Sequence, residues 1–514
     1  MAYTVLLIFA GLVSLGAALA LTPAVISFAT SRRLFDAPDG QRRIHSVAVP
    51  RIGGVAVFSA FMITIGAVHF TTVIPTEDVH FAVSLLAGAS LLFLLGLLDD
   101  IRGVRPIAKV LVQGGAAIAV IAGGLKLGSV GFTPHSAIVL GWVEAPLLIL
   151  WIIGATNAYN LIDGLNGLAG GIGLVAAITV AAVALLLGHT WTALAGIALA
   201  CSLLGFLRYN FPRAQVFLGD SGSMPVGFIL AVLAVRSATT MNGVVLVVIP
   251  IVALFLPLMD ATLAIIRRWL RHEPVSSADA RHIHHRLIAL GLSQPRTAIV
   301  LWCVASSVAV LGVVLELTPP VVALGLTVAG LMALLAFVIY GTRVLAYHEF
   351  RVAGEVLRTG PAHVRRVISD QIQAHDVSVL VRFAATLEDV SHILDANASR
   401  FGFESMEVRA LGEAALHLSP IRDKLASAWR LEYPLFVTDD GIHGGATHSF
   451  SIWCRVEEDA RPFGAERVAR VLAPVLEHRI EEIRRFIQPP AQVAGERLKL
   501  SLRSTGRLPR RRSS

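Results

Sequence analysis

Long apolar runs separated by short polar interruptions fill residues 1–342, and the pattern stops beyond them. About 20 apolar residues suffice to cross a bilayer as a helix. Eleven runs meet that length: 4–29, 52–73, 81–98, 106–124, 137–157, 166–187, 191–208, 222–238, 243–266, 297–316 and 320–342. The fourth and fifth are the weakest, rich in Gly or broken by Glu144 and Pro146. The first run has no basic stretch before it and is long enough to span, so a retained helix is expected rather than a cleaved signal peptide. Beyond residue 342 the periods are mixed. Val377 to Phe383 and Ser449 to Val456 alternate as strands do, and Ala465 to Ile487 reads as a long amphipathic helix. The predicted fold is an all-α polytopic membrane domain of about eleven transmembrane helices (1–342) with a C-terminal α+β cytosolic domain (343–490). A basic, disordered tail (491–514) is expected to follow, carrying Arg510, Arg511 and Arg512.

Composition agrees: 55% of residues are hydrophobic and 15% charged, against about 25% charged in soluble domains. The formal net charge of +8 is concentrated in short loops, which points to membrane orientation rather than nucleic acid. If the first helix starts outside, the inner loops hold sixteen Arg and Lys residues and the outer ones only Lys126 and Arg236. That asymmetry places the C-terminal domain in the cytoplasm. Cys201, Cys303 and Cys454 are far apart, so neither a disulfide framework nor a zinc site is indicated.

The polar interruptions carry the candidate chemistry. They are LLDDIRGVRPIAK (Leu97 to Lys109), NAYNLIDGLNG (Asn157 to Gly167), FLGDSGS (Phe217 to Ser223) and ADARHIHHRL (Ala278 to Leu287), all at one membrane face in this topology. Polar and charged groups there are costly, so such a cluster marks a site. Asp99 and Asp100 serve as a base or as magnesium-site carboxylates, or else as a helix cap. Lys109 faces the site as a phosphate counter-charge or snorkels to the interface, with Gln113 one turn on. Asn157, Asn160 and Asp163 share a face if helical, Asn166 extends the series, and such oxygens suit Mg2+. Asp220 and Ser221 open a span, as phosphate site or ordinary cap. His282, His284, His285 and Arg286 suit a diphosphate better than zinc. Asp260 is one more polar intruder, for which an ion pair with Arg267 is the plain explanation. The first inner loop adds Arg42, Arg43, His45, Arg51, Gly53 and Gly54.

Together these stretches resemble the polyprenyl-phosphate N-acetylhexosamine-1-phosphate transferases, a family that includes bacterial undecaprenyl-phosphate GlcNAc-1-phosphate transferases and is related to phospho-MurNAc-pentapeptide translocase. The resemblance covers roughly residues 30–300. It implies Mg2+ dependence, with Mn2+ as an alternative, and transfer of a sugar 1-phosphate from a UDP-sugar to undecaprenyl phosphate with release of UMP. Asp99, Asp100, Lys109, Asp163, His282, His284, His285 and Arg286 then become catalytic residues. Asn160 and Asp220 become metal ligands, and Arg43, His45, Arg51, Gly53, Gly54, Asn157 and Asn166 bind substrate. The HIHHR loop is closer to the GlcNAc type. Gly103 stands where many relatives carry a third acid, and Asn166 where many carry a second Asp. The rival readings are a MurNAc-pentapeptide translocase, a transporter or a membrane regulator. The C-terminal domain is expected to meet a second copy of the chain or polysaccharide-assembly partners.

Overall fold

The computed structural model describes residues 2–32, 49–71, 76–131, 137–240, 244–270 and 282–318, isolated positions from 322 to 332, and then 364–410, 428–435, 448–455 and 462–487. The chain divides into two compact units, one of residues 1–266 with 278–345 and one of residues 267–277 with 346–514.

The first unit is helical: α1 (Ala2–Ser31), α2 (Gly54–Thr71), α3 (Thr76–Arg102), α4 (Pro106–Ala122), α5 (Glu144–Leu161), α6 (Leu168–Leu186), α7 (Thr190–Asn210), α8 (Asp220–Ser237), α9 (Val248–Ala253), α10 (Phe255–Leu270), α11 (Ile283–Ala289) and α12 (Gln294–Glu316). Among the described residues, six helices are long and apolar enough to cross a membrane, and those starting at Gly54 and Pro106 are shorter apolar helices. Helix α8 lies at the centre, with every residue from Ser221 to Val235 buried. That all-round burial is what a helix apolar on every side requires. The outer helices leave large apolar side chains exposed instead, among them Leu12, Leu94, Leu111 and Leu150, as a lipid-facing surface does.

Two of the expected spans are corrected. Residues 137–157 do not form one helix: Ala137–Val139 is strand β2, and α5 starts only at Glu144. Gly141 has φ 55°, and the Glu144 carboxylate accepts the Leu127 amide at 2.8 Å, so the helix begins at an anchored polar residue. Residues 243–266 also divide. Val244–Leu246 forms β3, which pairs parallel to β1 (Ser129–Gly131), and the helix after it breaks at Leu254 between α9 and α10. Apolar content alone cannot tell a short strand from the first turn of a span. The span expected at 320–342 and the tail at 491–514 lie outside the described residues, apart from isolated positions.

In the second unit, helix Leu387–Ala398 begins at a capping box in which the Thr386 side chain accepts from the Asp389 amide. Strands β4 (Ser405–Ala410), β5 (Ala428–Leu435) and β6 (His448–Arg455) form an antiparallel sheet in the order β4-β6-β5. Phe450 and Ile452 of the central strand pack with Leu472, Leu476 and Ile480 of helix Pro462–Ile487, as the amphipathic pattern there predicts. Val377 to Phe383 is a correction. Val377 to Arg382 is the end of helix Val364–Arg382 and Phe383 follows in a turn, so no strand forms there. Ala374, Val377, Val381 and Ala384 are buried at three- and four-residue spacing, while Val379 and Leu380 stand exposed. A window of seven residues showed the β-branched alternation and hid the longer period.

Candidate active site

Three helix ends and one turn bring the polar motifs together. Helix α3 stops where Gly103 adopts φ 72°, with its amide on the Asp99 carbonyl at 2.9 Å. The Asp99 Oδ1 then accepts the Val104 amide at 2.6 Å, which fixes the turn into α4. Pro106 opens α4, its missing N–H costing nothing there. Lys109 therefore rises beside Asp99, one turn into the helix.

The Lys109 ammonium lies between two carboxylates, 2.7 Å from Asp99 Oδ2 and 2.6 Å from Asp220 Oδ2. All three side chains are part-buried. Asp220 is the first residue of α8, and its Oδ1 accepts the Asn160 amide at 2.9 Å. The same Asn160 amide nitrogen donates to Ser223 Oγ at 2.7 Å, and Ser223 donates in turn to the Gly219 carbonyl at 2.9 Å. Ser223 was not anticipated as a site residue, although it stands one turn after Asp220 in FLGDSGS.

The two members of the Asp pair divide their work. Asp99 faces Lys109. Asp100 accepts from the Asp220 amide through Oδ1 and from the Ser221 amide through Oδ2, both at 2.9 Å. For Asp100 the plain alternative of a helix cap is the geometry observed, but the capped helix is α8, 120 residues away in the chain.

Asn157, Asn160 and Asp163 do not form one helical face. Helix α5 ends at Leu161 and Asp163 follows in the turn. Its Oδ2 accepts the Gly219 amide at 3.0 Å. Burial, then the Asp220 and Asp100 charges, push the Asp163 carboxyl up to about 7, against the Gly219 hydrogen bond and Arg51. Asn157 is committed to Gln113, donating to its Oε1 at 2.7 Å, so the pair ties α4 to α5.

The first loop meets the start of α8 edge to edge. The Gly53 and Gly54 amides donate to the Phe217 and Leu218 carbonyls at 2.9 and 2.8 Å. A Cβ on Gly54 would meet the Gly222 nitrogen at 2.0 Å, so no side chain fits between these chains. Gly53 and Gly54 thus pack main chain on main chain. Arg51 lends its carbonyl to the same contact and its charge to Asp163. Arg43 and His45 lie outside the described residues.

The histidine loop is anchored differently from the expectation. Asp260 pairs with His282 Nδ1 at 2.8 Å and accepts the Ile283 amide at 2.9 Å; its partner is the loop, not Arg267. A carboxylate that caps α11 while holding a ring nitrogen satisfies both oxygens at once. His284 is buried between His282 and His285, with ring centroids 5.9 and 4.2 Å away. Burial, then the charge of His285, lower its pKa to about 3. Its Nε2 points at Gly164, where an added Cβ would come within 2.9 Å, and has no hydrogen-bond partner among the described residues. The Asn166 carbonyl oxygen is buried and unpaired in the same sense. His285 and Arg286 follow on α11, half-buried.

Among the described residues no group of three or more His, Cys, Asp or Glu side chains is arranged to hold a metal alone. The donor chemistry still fits a hard cation completed by substrate. Asp99 and Asp220 flank one lysine, and Asp100 and Asp163 lie near enough to Asp220 to interact with it electrostatically, so negative charge is in excess. Magnesium takes one or two carboxylates and fills its shell with water and phosphate oxygens.

Comparisons with known proteins identify the family. A family model described as glycosyl transferase family 4 matches residues 82–238, from α3 to the end of α8. A probable undecaprenyl-phosphate N-acetylglucosaminyl 1-phosphate transferase of Bacillus subtilis (strain 168) is 38% identical over 312 residues, covering 60% of this chain and 85% of its own. A decaprenyl-phosphate N-acetylglucosaminephosphotransferase of Mycobacterium tuberculosis is 33% identical over 291 residues, 51% of this chain and 71% of its own. The undecaprenyl-phosphate alpha-N-acetylglucosaminyl 1-phosphate transferase of Escherichia coli (strain K12) is 29% identical over 317 residues, covering 60% and 83%. The chain belongs to the polyprenyl-phosphate N-acetylhexosamine-1-phosphate transferase family.

Proposed function

We propose that this protein transfers N-acetylhexosamine 1-phosphate, GlcNAc 1-phosphate first, from a UDP-sugar to undecaprenyl phosphate with release of UMP. The observation that carries this reading is Lys109 held between Asp99 and Asp220 at the meeting of three helix ends. In the reaction an oxygen of the lipid phosphate attacks the sugar-linked phosphorus of the donor. The bond from that phosphorus to the bridging oxygen breaks, and UMP leaves with the electron pair.

A phosphate monoester has its second pKa near 6, so the lipid phosphate reaches the site largely as a dianion and needs charge compensation more than a base. Lys109 supplies fixed positive charge in a part-buried place, and Arg286 adds a fork of donors. Asp99 orients Lys109. Bound Mg2+, or Mn2+ in its place, would neutralise charge on the diphosphate oxygens. Asp220 and Asn160 are the residues we assign to hold it. An amide turned by 180° exchanges its nitrogen and oxygen, which presents the Asn160 oxygen toward the Asp220 side. The unpaired His284 Nε2 and Asn166 oxygen are suited to the hydroxyl and amide groups of the donor.

The excess of Arg and Lys in the loops on this face supports a site open to the cytoplasm of a cell whose inner membrane holds the protein. The acceptor lipid supports a role at the start of cell-envelope or extracellular polysaccharide synthesis. The second unit is assigned to a second copy of the chain or to assembly partners.

The test is UMP release by purified protein in detergent, supplied with UDP-GlcNAc, undecaprenyl phosphate and Mg2+. Release should need both lipid and metal. It should fall by roughly 10²-fold or more in Asp220→Ala and Lys109→Gln, with Lys109→Arg no substitute, because the larger planar guanidinium does not fit where a compact ammonium sits 2.7 and 2.6 Å from the two carboxylates. UMP release that ignores the lipid, or that survives Lys109→Gln intact, sinks the reading.

A further inference from the structure

The start of α8 has an N-cap without a side chain. Gly219 occupies the position that Ser, Thr, Asp or Asn usually fills, and it makes no side-chain cap bond. Its φ of 70° belongs to glycine, and a Cβ there would meet the Arg51 carbonyl at 1.9 Å and Asp100 Oδ2 at 2.7 Å. The amides that a cap would satisfy are satisfied from elsewhere. Asp163 takes the Gly219 N–H, and Asp100 takes those of Asp220 and Ser221. Three consecutive peptide N–H groups are thus bound by two carboxylates, one from the end of α3 and one from the turn after α5. On the other edge, the Gly53 and Gly54 amides bind the Phe217 and Leu218 carbonyls. Gly96 lets α3 come close enough, since a Cβ there would meet the Asp220 carbonyl oxygen at 2.2 Å.

We propose that Asp100 and Asp163 are positioning residues, a main-chain clamp on Gly219–Ser221 that sets where the Asp220 carboxylate points. The catalytic part of this inference rests on the function proposed above; the clamp itself does not. Both Asp100 oxygens are engaged by peptide N–H groups, and the partial positive charge of a helix N-terminus favours a carboxylate there. Asp220 can then offer one oxygen to Lys109 and the other to Asn160 without choosing between rotamers. The adjacent aspartates therefore do different things: Asp99 meets the reacting charges through Lys109, and Asp100 builds the scaffold beneath them.

Hydrogen–deuterium exchange of the full chain in detergent tests the clamp without reference to turnover. Amides within 217–224 should exchange at least about tenfold faster in Asp100→Ala, and by an intermediate factor in Asp100→Asn, which keeps one acceptor of two. Asp163→Asn should expose the same segment, and Asp99→Asn should not. In turnover, Asp100→Asn should lower kcat more than it raises the donor KM, keep more activity than Asp100→Ala, and leave the shape of the pH–rate profile unchanged. A general base behaves otherwise, because Asn is then no better than Ala and the acidic limb disappears. Normal exchange in both Asp100 variants, or loss of that limb in Asp100→Asn, overturns the clamp. A wild-type protein without transferase activity overturns the proposed function alone, and the exchange data still decide the clamp. Should Asp100→Ala fail to fold, Asp100→Asn and Asp163→Asn carry the test.

Discussion

His284 shows how burial decides what a residue can do. A histidine beside an arginine suggests positive charge for a diphosphate, but this ring is 2% exposed and its pKa falls to about 3. At neutral pH it is uncharged and can only exchange hydrogen bonds. The stability consequence has a definite sign. The folded pKa lies below the ordinary 6.5, so between about pH 3 and 6.5 the unfolded chain binds the extra proton. Stability from this group is full above pH 6.5 and is lost as pH falls, with a limiting slope of about 1.4 kcal/mol per pH unit. Thermal unfolding in detergent from pH 7.5 to 5 should therefore show a drop in Tm that is shallower in His284→Gln. An equal drop in both proteins would mean that the ring is not held neutral. The pairing of His282 with Asp260, and the split between Asp99 and Asp100, were beyond reach of the sequence. Each depends on which of several polar groups comes nearest in three dimensions, and two aspartates side by side look alike in one.

The helices themselves were largely legible, because a 20-residue apolar run has few alternatives in a membrane. The long helices fall close to the expected spans, and LLDDIRGVRPIAK, NAYNLIDGLNG, FLGDSGS and HIHHR meet at one end of the bundle. Boundaries failed where a short strand abuts a helix, at 137–139 and 244–246, and where a β-branched helix imitates a strand, at Val377 to Phe383. What positions the site at this scale is the close approach of α3 to α8. At Gly96 an added methyl would lie 2.2 Å from the Asp220 carbonyl oxygen and 2.4 Å from its carbon. These are main-chain atoms at the first turn of a buried helix, so the helices must separate. Gly96→Ala should cost about 1–3 kcal/mol of stability by overpacking. Displacing Asp220 by part of an ångström should lower transferase activity by about 10²-fold. Gly66→Ala on α2, with nothing within 4 Å, is the matched control and should be silent in both assays. Full activity in Gly96→Ala would show that the approach of α3 does not set the site.

At the scale of the whole molecule, the relative from Bacillus subtilis matches 60% of this chain while giving up 85% of its own length. The shared length is about that of the first unit, and the proposed site draws every residue from it: Asp99, Lys109, Asn160, Asp163, Asp220 and His284. The second unit closes its own core, with Val377, Val381, Phe450, Ile452, Leu472 and Leu476 all buried among themselves. A unit that completes its own core does not need to complete another's. Transfer chemistry should accordingly survive without the second unit. Truncation after Thr342 is expected to leave UMP release in detergent within about twofold of the full chain, because no transition-state contact is removed. In cells the same truncation should change the amount of polysaccharide made, if the second unit brings the enzyme to a second copy or to an assembly partner. The two readouts separate a catalytic role from a recruiting one. A large loss in detergent, with the truncated protein folded and monodisperse, would place a missing part of the site beyond Thr342.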